Sequence, residues 1–470
     1  MTERLPKSVL IGGIVLASLA LAYAAFSRPW YFTDKNYLGG IVLIEFLLVA
    51  VWLYQRVFFP VVMVAFLLAG LNLPVGTVWT SARWVFLGVG AFAGFYLMLK
   101  QRGHRFGFFH AVAVFAVLTA LVSAFVSRYP GIALLKVLSL FLLFLYAGTG
   151  ARLAVSGREN RFFNGLLMGC EIFVAVNAML YLVGIEAMGN PNSLGAVMGV
   201  ACAPILLWGI LLGGERAAVR RRWVFYAACM CLTFASQARA GMAAALLSSG
   251  LLCLALRKYK LAVEGSIILV IVFAATAIFR PEIFSELTST VVYKGADQQL
   301  GMLSSRESPW KAAMDNIREH PWFGTGFGTT ANGGDANEEF GKFSSSSNST
   351  TENGSSYLAI TSGIGVFGVL PFSMLLVLII GKVFQTLAWM RKTGSAAHPA
   401  IPLAMVMIAG IAHASFEDWM FAPGYYLCVF FWSLAFVFLD FAPSSHVSAF
   451  RFRWPPKGAR PQVRVVAPVR

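Results

Sequence analysis

Residues 232–250 read LTFASQARAGMAAALLSSG, two apolar runs with Arg239 between them. An arginine at the centre of a bilayer costs about 2.5–3.5 kcal/mol even on scales derived from membrane insertion. The chain avoids that cost if SQARAG is a turn at a membrane surface and the flanking runs are separate spans. That reading makes the protein a set of helical hairpins in lipid. Composition agrees: of 470 residues 58% are hydrophobic and 12% charged, with mean hydropathy +0.72, against roughly 25% charged in soluble domains. Apolar windows of the length a bilayer needs, about 20 residues, fall at 8–26, 37–54, 57–73, 84–99, 108–126, 132–149, 163–184, 193–213, 222–237, 239–256, 261–279, 364–384, 400–417 and 425–441. The expected fold is all-α, a polytopic membrane protein of about 12–14 transmembrane helices.

A net charge of +16 invites a nucleic-acid reading, and the placement of the charges removes it. With the N-terminus set inside, 25 of the 37 Lys and Arg fall on inner segments, eleven on outer ones, and Lys136 lies just within a span. Short loops alternate between basic and nearly neutral, as the positive-inside rule requires. The basic balance is thus a topology signal, with both termini cytoplasmic. The first run, followed by Ala22-Tyr23-Ala24, has the outline of a signal peptide, but an uncleaved first span is the expectation. All six cysteines fall in predicted spans, which argues against disulfides and against a cysteine metal site.

Four parts follow: spans over 1–279, a large outer loop at 280–355, spans over 356–441, and a basic tail at 442–470. The loop holds ten acidic and six basic side chains, and SSRESPWKAAMDNIREHP predicts a helix over 306–319. A turn cluster GTGFG follows, then a polar stretch from 331 that reads as a flexible loop. The polar islands between spans all fall on the outer face: GNPNS at 189–193, SQARAG at 236–241, the long loop, and FEDWMFAPG at 416–424.

Each candidate residue has a plain reading beside a functional one. Arg239 is a snorkelling anchor or, with its forked guanidinium, a phosphate ligand. Asn190, before Pro191 and Asn192, is a helix cap, and the same helix start can also bind an anion. Arg306, Trp310 and Lys311 lie on or near one face of the loop helix. A cation at a helix start opposes the macrodipole and so needs another reason. Glu352-Asn353 stands just before a run entering the membrane, where a carboxylate serves as helix-start charge or as a general base. His413 and Glu417, four apart, are expected to share a helix face, with Asp418 beside them. GIGVFG at 363–368 has dinucleotide-loop spacing, but no strand precedes it, and close helix approach is the expected use of its glycines. Asn348-Ser349-Thr350 and Asn353-Gly354-Ser355 match a glycosylation pattern, which matters only in a eukaryotic secretory context.

NPNSLG, SQARAG, R-x3-W-K-x-A ending in HPWFGTGFG, and YLAITSGIGVFG, in that order, resemble the superfamily of O-antigen polymerases, O-antigen ligases and exopolysaccharide polymerases. The resemblance covers about 189–370, and SFEDW resembles the exopolysaccharide branch. It implies a GT-C-like membrane glycosyltransferase of the bacterial inner membrane with a periplasmic active site. Such an enzyme moves glycan from an undecaprenyl diphosphate carrier to an acceptor sugar hydroxyl, without an obligatory metal or other cofactor. Carried over onto this chain, Arg239 and Arg306 hold the diphosphate; Glu352, which matches no residue of the family pattern, is the candidate base from its own position before the YL segment. Asn190, Asn192, Trp310, Asn353, Glu417 and Asp418 are the expected substrate-binding set. Partners are the lipid-linked oligosaccharide, an acceptor glycan, membrane lipids and a chain-length regulator.

Ligases of the superfamily carry a histidine shortly before the YL segment, and here none lies between His320 and His398. That departure favours a polymerase, with a ligase acting on lipid A core, or a transferase to protein, as alternatives. A lipid-linked oligosaccharide flippase ranks below them, because transporters are commonly built from internal repeats and none is evident here. Glu45, Glu171 and Glu264 are the acidic residues expected within spans.

Overall fold

The computed structural model describes residues 55–71, 76–100, 106–185, 187–188, 190–279, 304–329 and 354–443, with a few scattered positions before 50 and at 282. The expected spans at 8–26 and 37–54 lie essentially outside these, as do the polar stretch from 331, Glu352, Asn353 and the basic tail. Among the described residues the chain is helical, with no strand. In order the helices are α1 (Phe58–Gly70), α2 (Gly76–Lys100), α3 (Phe108–Val126), α4 (Pro130–Val155), α5 (Glu159–Leu182), α6 (Pro191–Leu211), α7 (Arg216–Ala235) and α8 (Arg239–Ala255). There follow α9 (Tyr259–Phe279), α10 (Ser304–Glu319), α11 (Ser356–Thr393), α12 (Ala400–His413) and α13 (Tyr426–Phe441).

By length and composition, six of the described helices suffice to cross a membrane: α2, α3, α4, α5, α6 and α11. Each of the twelve expected windows from 57 onward corresponds to a helix, and the loop helix appears as α10. The protein is a multi-pass helical membrane protein.

The helices sort by how their apolar residues are spent. On α6, α12 and α13 nearly every residue is buried, the pattern of helices surrounded by other helices. By contrast α3, α5 and α9 leave Phe115, Phe125, Met179, Leu182 and Val270 exposed, as lipid-facing helices do. Association in lipid depends on close packing more than on exclusion of water, and the small residues are placed accordingly. A Cβ on Gly195 or Gly199 of α6 would overlap Ala238 or the Gly241 carbonyl, and one on Gly241 would overlap the Gly195 carbonyl. α6 and the start of α8 therefore touch backbone to backbone, which explains why PNSLG and ARAG are built of small residues. α6 takes a π turn at Met198–Cys202, and α4 another at Ala147–Ala151.

α11 is broken near its start. Gly365 has φ 68° and ψ −180°, a conformation essentially confined to glycine. Irregular backbone at membrane depth persists only where protein satisfies its polar groups, and HPWFGTGFG does so. Thr325 N–H donates to the Ser362 carbonyl (3.0 Å), Gly326 N–H to Gly363 (2.8 Å), and Val366 N–H to Pro321 (2.8 Å). From α3, the Ser123 hydroxyl lies 2.7 Å from the Phe323 carbonyl and 2.8 Å from that of Gly363, and the Ser127 hydroxyl donates to Thr325 (2.8 Å). Gly363 and Gly365 of GIGVFG receive this loop, while α3 reaches the Gly363 and Gly368 carbonyls, so the stretch serves loop and helix contacts together. Residues 321–329, read as part of the outer loop, are built into the bundle.

Buried charges hold the end opposite Arg239. Arg152 forks onto Asp440 (Nε–Oδ2 2.6 Å, Nη2–Oδ1 2.7 Å) and approaches His110 Nε2 (3.0 Å). Glu171, expected within a span, pairs with Arg221 (3.0 Å) and lies 3.8 Å from Arg222, whose Nη1 donates to the Gly209 carbonyl (2.7 Å). Glu264 is half exposed and lies 3.8 Å from Lys260. Arg152–Asp440 and the Glu171 pairs thus join segments that the charge count assigns to the same side.

Candidate functional site

Four of the connections that the charge count assigns to the outer face meet at the far end of the bundle. Arg306, in the first turn of α10, forms a salt bridge with Glu417, which lies in the connection between α12 and α13. Their side chains are 12% and 18% exposed, so both are sheltered and both reachable. Arg239, the first residue of α8, is half-buried, and the charged groups acting on it are Arg306 and Glu417. The Tyr425 hydroxyl donates to Ser193 on α6 (3.2 Å) and lies 2.9 Å from that of Tyr426. Burial pushes the Tyr425 phenol above its ordinary value, against its bonds to Ser193 and Tyr426, and the nearby Glu417 charge adds to the rise. The phenol therefore stays protonated and can donate.

The expected sharing of a helix face by His413 and Glu417 does not form. α12 ends at His413, because the next residues are drawn into a turn by Ser356 at the start of α11. Ser356 N–H donates to the carbonyls of Ala414 (2.9 Å) and Glu417 (3.1 Å). Its hydroxyl donates to the Glu417 carbonyl (2.7 Å) and accepts from the N–H groups of Trp419 and Met420 (both 3.0 Å). His413 turns instead to Trp419, whose indole N–H donates to Nδ1 at 2.8 Å. An imidazole that accepts at Nδ1 carries its hydrogen on Nε2 when neutral, so this histidine is a donor and not a base.

The remaining candidates divide. Asn190 caps α6, its side-chain oxygen accepting from Asn192 N–H (2.9 Å), as the plain reading expects. Trp310 spends its indole N–H on the Gly354 carbonyl (3.1 Å), tying α10 to the entry of α11, and Gly354 takes φ 63° beneath Arg306 and Trp310. Asp418 follows Glu417 in the same turn and is half-buried. Glu352 and Asn353 precede Gly354 and lie outside the described residues. Sequence reasoning missed the Tyr425–Ser193 link and Arg83 of α2. Arg83 is buried, donates to the Gly424 carbonyl (2.6 Å), and stacks near Trp84 and Phe66. Its place among the outer arginines was the available signal. Among the described residues, no group of three or more His, Cys, Asp or Glu could hold a metal ion.

Chemically the arrangement gathers positive charge of the kind that suits an anion. A helix start carries about half a positive charge, and α8 and α10 each add an arginine to theirs, with one carboxylate between. Residues 224–373 match a family model described as O-antigen ligase. The match supports the O-antigen polymerase and ligase superfamily. No curated protein matches the chain. The matched segment runs from within α7 into α11 and contains Arg239, Arg306 and the broken start of α11. Ser193, His413, Glu417 and Tyr425 reach the same site from outside it.

Proposed function

We propose that the protein is a polysaccharide polymerase that moves glycan from an undecaprenyl diphosphate carrier to a sugar hydroxyl on the periplasmic face of the inner membrane. The observation that carries this reading is the meeting of Arg239 and Arg306, each at a helix start, around one carboxylate. A sugar diphosphate is already a good leaving group. Catalysis then needs donors held where charge develops on the departing oxygen, and groups of this kind are each worth about 10²–10³ in rate. Guanidinium forks supply them in the geometry phosphate favours.

Direct attack by the acceptor hydroxyl inverts the anomeric carbon, and a carboxylate collects the proton late in the step. Glu352 is the base that the sequence suggests. Trp310 and Asn190 hold the walls of the site, while Asn192, Asn353 and Asp418 are the further polar groups offered to sugar. The resemblance implies no metal or other cofactor, and a chain-length regulator acts outside the chemistry. The large outer loop and the four-part division of the chain belong to the same proposal.

The description O-antigen ligase favours a second reading, transfer to lipid A core. The two differ in acceptor and share the donor. The test uses purified protein in lipid with an undecaprenyl diphosphate oligosaccharide and no other acceptor. A ladder of longer lipid-linked glycans supports the polymerase. Product only after lipid A core is added supports the ligase, and no product with either defeats both.

A further inference from the structure

The site holds its own anion. A phosphate that takes Arg306 Nη2 as a ligand competes with Glu417, whose carboxylate already bonds that nitrogen. The exchange is cheap for the fold. What fixes residue 417 is its backbone carbonyl, held by the Ser356 N–H and hydroxyl, and the flanking N–H groups of Trp419 and Met420 rest on the same hydroxyl. Met420 is held from the other side by the Trp432 indole N–H (2.7 Å) and by Cys428 (3.2 Å). A rigid turn therefore presents the carboxylate within electrostatic reach of Arg239 and of Tyr425, whose hydroxyl is bonded to Ser193.

We infer, building on the donor reading above, that Glu417 is the carboxylate that activates the acceptor hydroxyl, held on Arg306 until the donor diphosphate displaces it. While paired with a guanidinium, a carboxylate is a poor base. Losing that cation to a diphosphate, and gaining a negative neighbour, raises its basicity at the moment the donor is in place. In the transfer, the acceptor oxygen forms its bond to the anomeric carbon and its proton passes to Glu417. The bond from the anomeric carbon to the phosphate oxygen breaks, and its electron pair leaves on the diphosphate, whose charge Arg239 and Arg306 hold. Glu417 then returns the proton to solvent and reclaims Arg306. His413 cannot replace it, since its Nδ1 already accepts from Trp419. The Tyr425 and Ser193 hydroxyls are placed to orient the acceptor sugar.

The test measures undecaprenyl diphosphate binding and glycan transfer separately, with the full chain in nanodiscs. Glu417→Gln removes the internal competitor, so it should bind undecaprenyl diphosphate about fivefold tighter or more. It should also lose about 10²-fold or more in kcat, and Glu417→Asp should recover part of that loss. Because the turn is held through backbone, Glu417→Gln is expected to elute and melt as the wild type does. Unchanged or weaker binding by Glu417→Gln, in a set where Arg306→Ala does weaken binding, overturns the displacement while leaving the donor reading intact. A Glu417→Gln protein that transfers at the wild-type kcat, or a loss confined to Glu352→Gln or Asp418→Asn, overturns the role in acceptor activation. Binding unaffected by both Arg306→Ala and Arg239→Ala removes the donor reading and this inference together.

Discussion

Single residues decide the shape of the site, and they were unequally legible. Arg239 and Arg306 stood out in the sequence because a cation in an apolar run, or at a helix start, contradicts its surroundings and must be explained by something else. Ser356 did not stand out: a serine at the head of a helix reads as a cap, whereas its bonds run to residues 414–420, some sixty positions on. No local pattern announces such a partner. Glu417 was picked out for a helical pairing that the Ser356 turn prevents. Gly365 sits in a motif that reads as small-residue packing, yet its positive φ and the Trp322 carbonyl against its α-carbon make it a break point. Alanine there would combine a backbone strain of about 1–3 kcal/mol with an overlap against backbone that cannot move aside. Gly365→Ala is therefore expected to yield little monodisperse protein by fluorescence-detected size exclusion, while Gly381→Ala, with open space around it, behaves as the wild type.

Elements were easier to read than their interruptions. Helices of about 20 apolar residues declare themselves through hydropathy, and the windows at 108–126 and 239–256 agree closely with α3 and α8. The π turns of α4 and α6 and the break in α11 left no periodic trace, because each depends on a neighbour's backbone lying within contact distance. The connection between α11 and α12 shows the same dependence at the opposite end. There the Trp208 indole N–H donates to the Ala396 carbonyl (2.9 Å), and His398 Nδ1 accepts from Ala400 N–H (3.2 Å) against the Trp389 ring. Burial lowers His398 to about 4 from its ordinary 6.5. Between those values the unfolded chain binds a proton that the folded chain refuses, so stability is full above about pH 6.5 and falls as pH drops towards 4, by an amount on the order of 1–3 kcal/mol. Melting curves in detergent at pH 7 and pH 4.5 should show a smaller acid loss for His398→Asn, whose amide oxygen can take over the Ala400 contact without a proton to gain. An equal loss in both proteins would show that this connection does not titrate.

Across the whole molecule, charge is divided by end. At one end Arg152–Asp440 and Glu171 with Arg221 and Arg222 staple helices together. At the other, Arg239, Arg306 and Glu417 gather from three separate connections in a setting that suits an anionic ligand. The positive-inside count anticipated this grouping and the choice of hairpins. It could not say which outer residues would meet, because that depends on how α6, α8, α10 and α12 stack. The division makes a direct contrast available. Lysine in place of arginine keeps the charge and loses the fork. Arg152→Lys should lower the melting temperature and leave transfer per folded molecule close to wild type. The decisive measurement is transfer from an undecaprenyl diphosphate oligosaccharide by purified Arg239→Lys, normalised to folded protein and set beside Arg152→Lys. Arg239→Lys is expected to lose about 10²-fold or more with its melting temperature unchanged. A folded Arg239→Lys protein that transfers at the wild-type rate would contradict the donor reading.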